Sequence, residues 1–228
     1  MRLAWFFLAA GASAAEPIRV QITTGGHAHD LAFYEIFQGQ KDWSVTVNPH
    51  PSAYRRDLRK TVDVLVLYDM PAEIPEADRQ RVREFVEAGK GLVALHHALC
   101  GNWQWEWWWR EVTGARCMTA PAPPDKRTKV KHDEQMSIRP AAAHAVTDGV
   151  SPFVIHDETY KGMEFVPGLT ILAETDHPLA DRPVAWIGPH RKSRVAVIQL
   201  GHGPEAHRNP GYQKLVRNAV RWAAGPGR

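Results

Sequence analysis

Two apolar runs constrain the fold of this chain more than anything else in it: VDVLVLY at residues 62–68 and GLVALHH at residues 91–97. Side chains on a strand alternate between faces, so a run that is apolar at nearly every position must be covered on both sides. Between these runs, residues 75–88 space Val82, Phe85 and Val86 at helical intervals and stop at Gly89, a natural helix end. Upstream, residues 17–22 read as a strand, residues 28–38 as a helix with Asp30 in its first turn, and residues 43–48 as an alternating strand. This β-α-β-α-β order predicts an α/β fold with a mostly parallel sheet, right-handed crossovers and helices on both faces.

The second half is less regular. Residues 129–138, 168–174, 183–187 and 194–200 read as strands, the last two as a closing pair. Residues 105–113 and 209–224 read as helices. In the first of these, Trp105, Trp108, Trp109 and Val112 fall on one face, which is expected to pack on the core. Trp103 and Trp107 lie off that face and are candidates for stacking on a sugar ring.

The 228 residues carry a net charge of +3 with acids and bases intermixed, so composition does not point to nucleic acid. The locally basic stretch at residues 120–134, APAPPDKRTKVKHDE, reads as solvated surface. At the N-terminus, Arg2, an apolar core over residues 3–10 and the small-residue pattern Ala12-Ser13-Ala14 have the form of a secretory leader. That apolar core is far short of the roughly 20 residues that span a bilayer, so stable membrane insertion is not expected. The expectation is a leader over residues 1–15, a secreted or periplasmic product starting near Ala15 or Glu16, and a single domain over residues 16–228. Two cysteines, Cys100 and Cys117, are too few for a disulfide framework; pairing and a buried thiol are both open.

The ligand site of a parallel sheet lies outside the carboxyl ends of its strands. Three segments end an expected strand and combine His with Gly or with a second His: Gly25-Gly26-His27, His96-His97 and Gly201-His202. A polar cluster, His156-Asp157-Glu158-Thr159-Tyr160, reads as a loop with no apolar reason to exist. The expected site takes His97, Glu158 and His202 as acid–base groups. Gly25, Gly26, His27, His96, Trp103, Trp107, Asp157 and Tyr160 contact the ligand. Imidazoles exchange protons near neutral pH, which suits chemistry beside a carbonyl or glycosidic oxygen. For Asp157 the alternative is a turn brace, and for His96 a structural role inside the sheet. His50, His177, His190 and His207 read as structural. A divalent metal such as zinc is a second version of the site, with His27, His29, His97, Glu158 and His202 as the available donors; no closely spaced ligand motif marks it.

The ordered set GGHAHD, GKGLVALHHA with its Trp-rich continuation, HAVTDGVSPFVIHDETY, RPVAWIG and RVAVIQLGHGPEAHRNPGYQKLVRNAVRWAAG resembles the trehalose-utilisation (ThuA-like) family over about residues 18–224. The resemblance implies a flavodoxin-like three-layer sandwich, a place in the class I glutamine amidotransferase-like superfamily, and a role in carbohydrate catabolism. In amidotransferases of that superfamily a nucleophilic Cys occupies the turn where His96-His97 stand here, and the catalytic His corresponds to His202, with Glu205 beyond. Cys100 comes about one turn too late to replace the nucleophile, so Cys–His amide hydrolysis is excluded. The family often carries another His ahead of the strand after the Trp helix. Here His132 lies displaced from that place, and His144-Ala145 stands where a His-Pro pair is usual. The resulting expectation is an exported hydrolase, isomerase or lyase acting on a sugar or keto-glycoside. A non-catalytic carbohydrate-binding module is the alternative, and assembly as a homo-oligomer is left open.

Overall fold

Parallel pairing organises the centre of the molecule, which a computed structural model describes over residues 16–226. The leader expected at residues 1–15 lies outside the described residues. In chain order the elements begin with β1 (Ile18–Gly25), α1 (Ala32–Glu35), β2 (Trp43–Val47), β3 (Val64–Asp69), α2 (Glu76–Glu87) and β4 (Gly91–Leu95). Then come β5 (Ala115–Arg116), β6 (Lys129–Pro140), β7 (Phe153–Lys161), β8 (Glu164–Phe165), β9 (Thr170–Glu174) and β10 (Pro183–Ile187). The chain closes with β11 (Val195–Ile198), α3 (Gly203–Arg208) and α4 (Pro210–Ala224). Among the described residues nine strands form one sheet in the order β2-β1-β3-β4-β11-β10-β9-β6-β7. From β2 to β11 every pairing is parallel; from β11 outward to β7 every pairing is antiparallel.

Alternation along the central strands builds two cores. Val64, Val66 and Tyr68 of β3, Val93 and Leu95 of β4, and Ala196 and Ile198 of β11 face α1 and α4, meeting Phe33, Leu215, Val216 and Val220. The intervening Leu65, Leu67, Leu92, Ala94, Val195 and Val197 face the other way, onto Val82, Phe85 and Val86 of α2 and onto Trp108 and Val112. This is the expected α/β sandwich, with helices on both faces of a sheet that is parallel at its centre.

Three local expectations need correction. The helix expected over residues 28–38 is regular only over Ala32–Glu35; ahead of it, Asp30 lies 3.0 Å from His207 Nδ1. The Trp segment winds as a π-helix over Trp108–Thr113, which still buries Trp108, Trp109 and Val112. Residues 156–160 are not a loop but the middle of β7, where Asp157, Glu158, Thr159 and Tyr160 are all buried. Cys100 and Cys117 form a disulfide that ties the turn after β4 to the segment after β5.

At the amino-terminal edge of the sheet, the Arg19 backbone and guanidinium N–H groups and the Lys90 ammonium donate to Asp63. Burial pushes the Asp63 carboxyl up, but these donors more than offset it and hold it well below the usual carboxylate range. A depressed folded pKa adds stability above the unfolded value of about 3.9, and that stability is lost as pH falls through the folded value. Asp63→Asn is therefore expected to cost about 1–2 kcal/mol at pH 7, a figure reduced because Arg19 is partly solvated. In urea unfolding measured from pH 7 down to pH 2, the difference from wild type should shrink in the acid limb.

Candidate active site

Strands β1, β4 and β11 run parallel in the sheet, so the segments that leave their carboxyl ends emerge on one edge. His27, His96, His97 and His202 meet there. The rings of His27 and His97 are 4.6 Å apart, His27 and His202 6.2 Å, and His96 and His202 5.2 Å. Glycines shape the first of these turns: Gly26 has φ +79°, and a Cβ there would collide with the Met70 carbonyl.

The two adjacent histidines after β4 have different fates. His96 has φ 49°, a left-handed conformation that a non-glycine residue rarely adopts and that costs about 1–3 kcal/mol. It turns the ring back across the end of the sheet. There its Nδ1 donates to the Gln199 carbonyl at 2.9 Å. Its Nε2 lies 3.1 Å from Glu158 Oε2, 3.2 Å from His202 Nδ1 and 3.3 Å from the Tyr160 hydroxyl. Burial disfavours the imidazolium, but Glu158, Asp157 and the Gln199 carbonyl together outweigh it, so the pKa of His96 is raised. Burial likewise raises Glu158, and His96 with His202 and His132 outweighs that, leaving the carboxyl below its ordinary value.

His97 is turned inward and packs on Tyr68 at 4.3 Å between centroids. Burial, followed by His96 and His27, pushes its pKa down to about 2. Burial thus favours its neutral form, and the imidazole that meets the Glu158 carboxylate is its neighbour His96. His202 is only partly buried; desolvation and then His96 lower its pKa. It borders a cleft lined by Ala28, His29, Asp30, Tyr68 and Gly203.

Edge strand β7 supplies the acidic residues. Both oxygens of Asp157 are occupied: the N–H groups of Glu158 and His202 donate to Oδ1 at 2.8 and 2.7 Å, and that of Gly201 to Oδ2 at 2.8 Å. Asp157 is the brace that fixes the turn after β11, so it is not available to a ligand. Glu158, one residue on, points into the His cluster.

The residue that sequence reasoning placed outside the site is His132. In the β6–β7 pairing, Lys131 faces Thr159 and Glu134 faces Asp157, so His132 and Asp133 together oppose Glu158. Asp133 has φ 60°. Such a bulge re-aims a side chain, and here it brings His132 Nδ1 to 2.9 Å from Glu158 Oε1. His144 plays a different part: it braces a turn, its Nδ1 accepting from the Val146 N–H, and its ring packs against Trp222.

The aromatic candidates lie elsewhere. Tyr160 is buried beneath His96, which rules out stacking on a ligand that enters from solvent. Trp107 packs under the Arg83 guanidinium and beside His190, and Trp103 packs against Arg116. Of the donors considered for a metal, His29 is engaged by the Tyr34 hydroxyl at 2.9 Å and His97 faces inward. Among the described residues the donor atoms that converge are those of His96, Glu158 and His202.

The fold and its strand-end edge define an α/β sandwich with a left-handed turn after the central strand and a His after the last parallel strand. The chain belongs to the ThuA (trehalose utilisation) family, whose model matches residues 19–223. A structure described as ThuA-like from Parabacteroides merdae is similar, with 18% identity and a TM-score of 0.77, over 92% of this chain and 90% of that one. Another described as ThuA-like, from Bacteroides uniformis, has 19% identity and a TM-score of 0.69 over 94% and 95% of the two chains. A structure described as a GMP synthase subunit from Thermoplasma acidophilum shares the fold at 13% identity and a TM-score of 0.57, over 92% and 96%. No curated protein is significantly similar to this chain.

Asp157→Asn tests the brace. A carboxamide has one acceptor oxygen for three N–H donors, so at least one buried donor is left unpaired, at a cost of about 1–3 kcal/mol. The unfolding free energy from urea titration is expected to fall by that amount, whereas Glu158→Gln, which leaves the brace intact, is expected to lower it less.

Proposed function

We propose that this chain is an exported enzyme of carbohydrate catabolism that moves a proton on a sugar or keto-glycoside at the His96–Glu158–His202 centre. One observation carries the reading: a buried imidazole–carboxylate pair lies behind a partly exposed imidazole, at the strand-end edge where parallel sheets bind ligands. The family's description, trehalose utilisation, supports the substrate class.

Chemistry beside a sugar carbonyl needs a positioned proton acceptor and a donor for the oxygen that gains charge. His202 faces the cleft and has its backbone fixed by Asp157, which suits it to exchange a proton with substrate. Glu158, held by His96 on one oxygen and His132 on the other, orients the pair and balances the charge it acquires. His27, exposed at the rim beside His97, is placed to meet a substrate oxygen. A glycosidic bond next to a ketone becomes labile once the intervening carbon is deprotonated, so one such centre serves hydrolase, lyase and isomerase outcomes alike.

Export belongs to the same proposal. The leader pattern at residues 1–15 supports it, and the Cys100–Cys117 disulfide suits an oxidising compartment. Protein recovered from the periplasm or medium of the producing cell is expected to begin near Ala15 or Glu16; recovery of the uncleaved chain from the cytoplasm would contradict export.

The enzyme reading is tested by screening oligosaccharides and their keto derivatives for turnover, then measuring variants on the substrate found. Glu158→Gln and His202→Ala are each expected to lower kcat by about 10²–10⁴ with the fold intact by circular dichroism. Full turnover in both variants would remove the centre from the chemistry. Wild-type protein that binds a sugar without converting it would instead make this a binding module.

A further inference from the structure

We propose that His96 Nε2, Glu158 Oε2 and His202 Nδ1 bind one divalent transition-metal ion, best matched by Zn²⁺, with a coordination position left open toward the cleft. This inference rests on the reading that the same cluster is the reacting centre, and it changes what holds the cluster together.

Geometry is the first argument. The three donor atoms form a triangle with edges of 3.1, 3.2 and 3.7 Å. Zinc bonds to imidazole nitrogen and carboxylate oxygen are about 2.0–2.2 Å long, and the edge of a tetrahedron with such bonds is about 3.3–3.6 Å. The triangle therefore has the size of one face of a zinc coordination tetrahedron.

Proton placement is the second argument. His96 Nδ1 faces the Gln199 carbonyl, an acceptor, so that nitrogen carries the hydrogen and donates. This is the backing that metal-bound imidazoles ordinarily have, and it directs the other nitrogen's lone pair at Glu158 and His202. Lone pairs of two imidazoles and a carboxylate that meet at one point repel one another unless a proton or a metal ion lies between them, and one metal ion can satisfy all three at once. The surroundings hold that arrangement in place. His132 engages the carboxylate oxygen that the ion would leave free, and Asp157 fixes the turn at His202 by accepting from the consecutive N–H groups of Gly201 and His202.

The open position follows from exposure. The side chains of His96 and Glu158 are 0% and 6% exposed, whereas that of His202 is 33% exposed. The ion's fourth position thus opens on the His202 side, where the cleft lies. Two imidazoles, one carboxylate and an open position are the donor set of a catalytic zinc site, where the ion lowers the pKa of bound water toward about 7.

The test uses the whole mature chain, prepared without a histidine tag, stripped with a chelator and titrated with Zn²⁺. A parallel titration with Co²⁺ uses its visible absorption to report coordination number. Wild type is expected to bind about one Zn²⁺ per chain, to give the intense bands of four- or five-coordinate Co²⁺, and to gain thermal stability with added Zn²⁺. Glu158→Gln and His202→Ala are expected to weaken binding at least about 100-fold, and His132→Ala about 10-fold, each remaining folded. Wild type that takes up no more Zn²⁺ than folded Glu158→Gln and His202→Ala would overturn the proposal. Site-specific Zn²⁺ binding together with full turnover of the chelator-treated, metal-free protein would uphold the ion and leave the acid–base reading standing without it. Site-specific Zn²⁺ binding without turnover of any sugar would uphold the ion and defeat the substrate assignment.

Discussion

Parallel pairing of β1, β3, β4 and β11 forces the carboxyl ends of four strands onto one edge, and the site exists because of that constraint. Histidines separated by up to about 175 positions in sequence become neighbours because each lies in the turn that leaves one of these strands. The strands can hold this register because they are apolar on both faces and are clamped by α1 and α4 on one side and α2 on the other. A slip of one residue would turn each core side chain to the opposite face and the histidines away from one another.

The antiparallel half of the sheet completes the site from the side. Strand β7 lies at the far edge by hydrogen-bond order, yet Asp157 grips the turn after β11 through two N–H groups of that turn, and Gln199 donates to the Glu158 carbonyl. This grip places a carboxylate among imidazoles where the parallel strands alone would leave only histidines. The left-handed conformation of His96 has its counterpart here: the strain of the turn is offset by the contacts its ring makes with Glu158, His202 and Gln199.

Much of this was legible from residues alone. Unbroken apolar strands, helical spacing and Gly-ended turns defined the α/β sandwich, and the strand-end rule brought His27, His97 and His202 to one edge. What the pattern could not supply was backbone detail. Alternation says that one of His96 and His97 points inward, yet both are buried, because the left-handed φ of His96 turns its ring back across the end of the sheet. HDETY reads as a loop because polar residues seldom fill a buried strand; only long-range partners, the Gly201 and His202 N–H groups and the imidazoles, explain its burial. His132 looked displaced because a bulge opposite Glu158 depends on pairing with β7, which sequence spacing does not reveal. The Trp segment kept its buried face but changed its winding, and Trp103 and Trp107 pack against Arg116 and Arg83.

The central claim is that the strand-end edge, with its imidazoles and Glu158, is where a ligand is received. Crystals soaked in turn with oligosaccharides and keto-sugars test it most directly. The account predicts sugar density bounded by His27, His132 and His202, within hydrogen-bonding distance of at least one imidazole. Density confined to the aromatic surface around Trp103 and Trp105, with the histidine edge untouched, would contradict it.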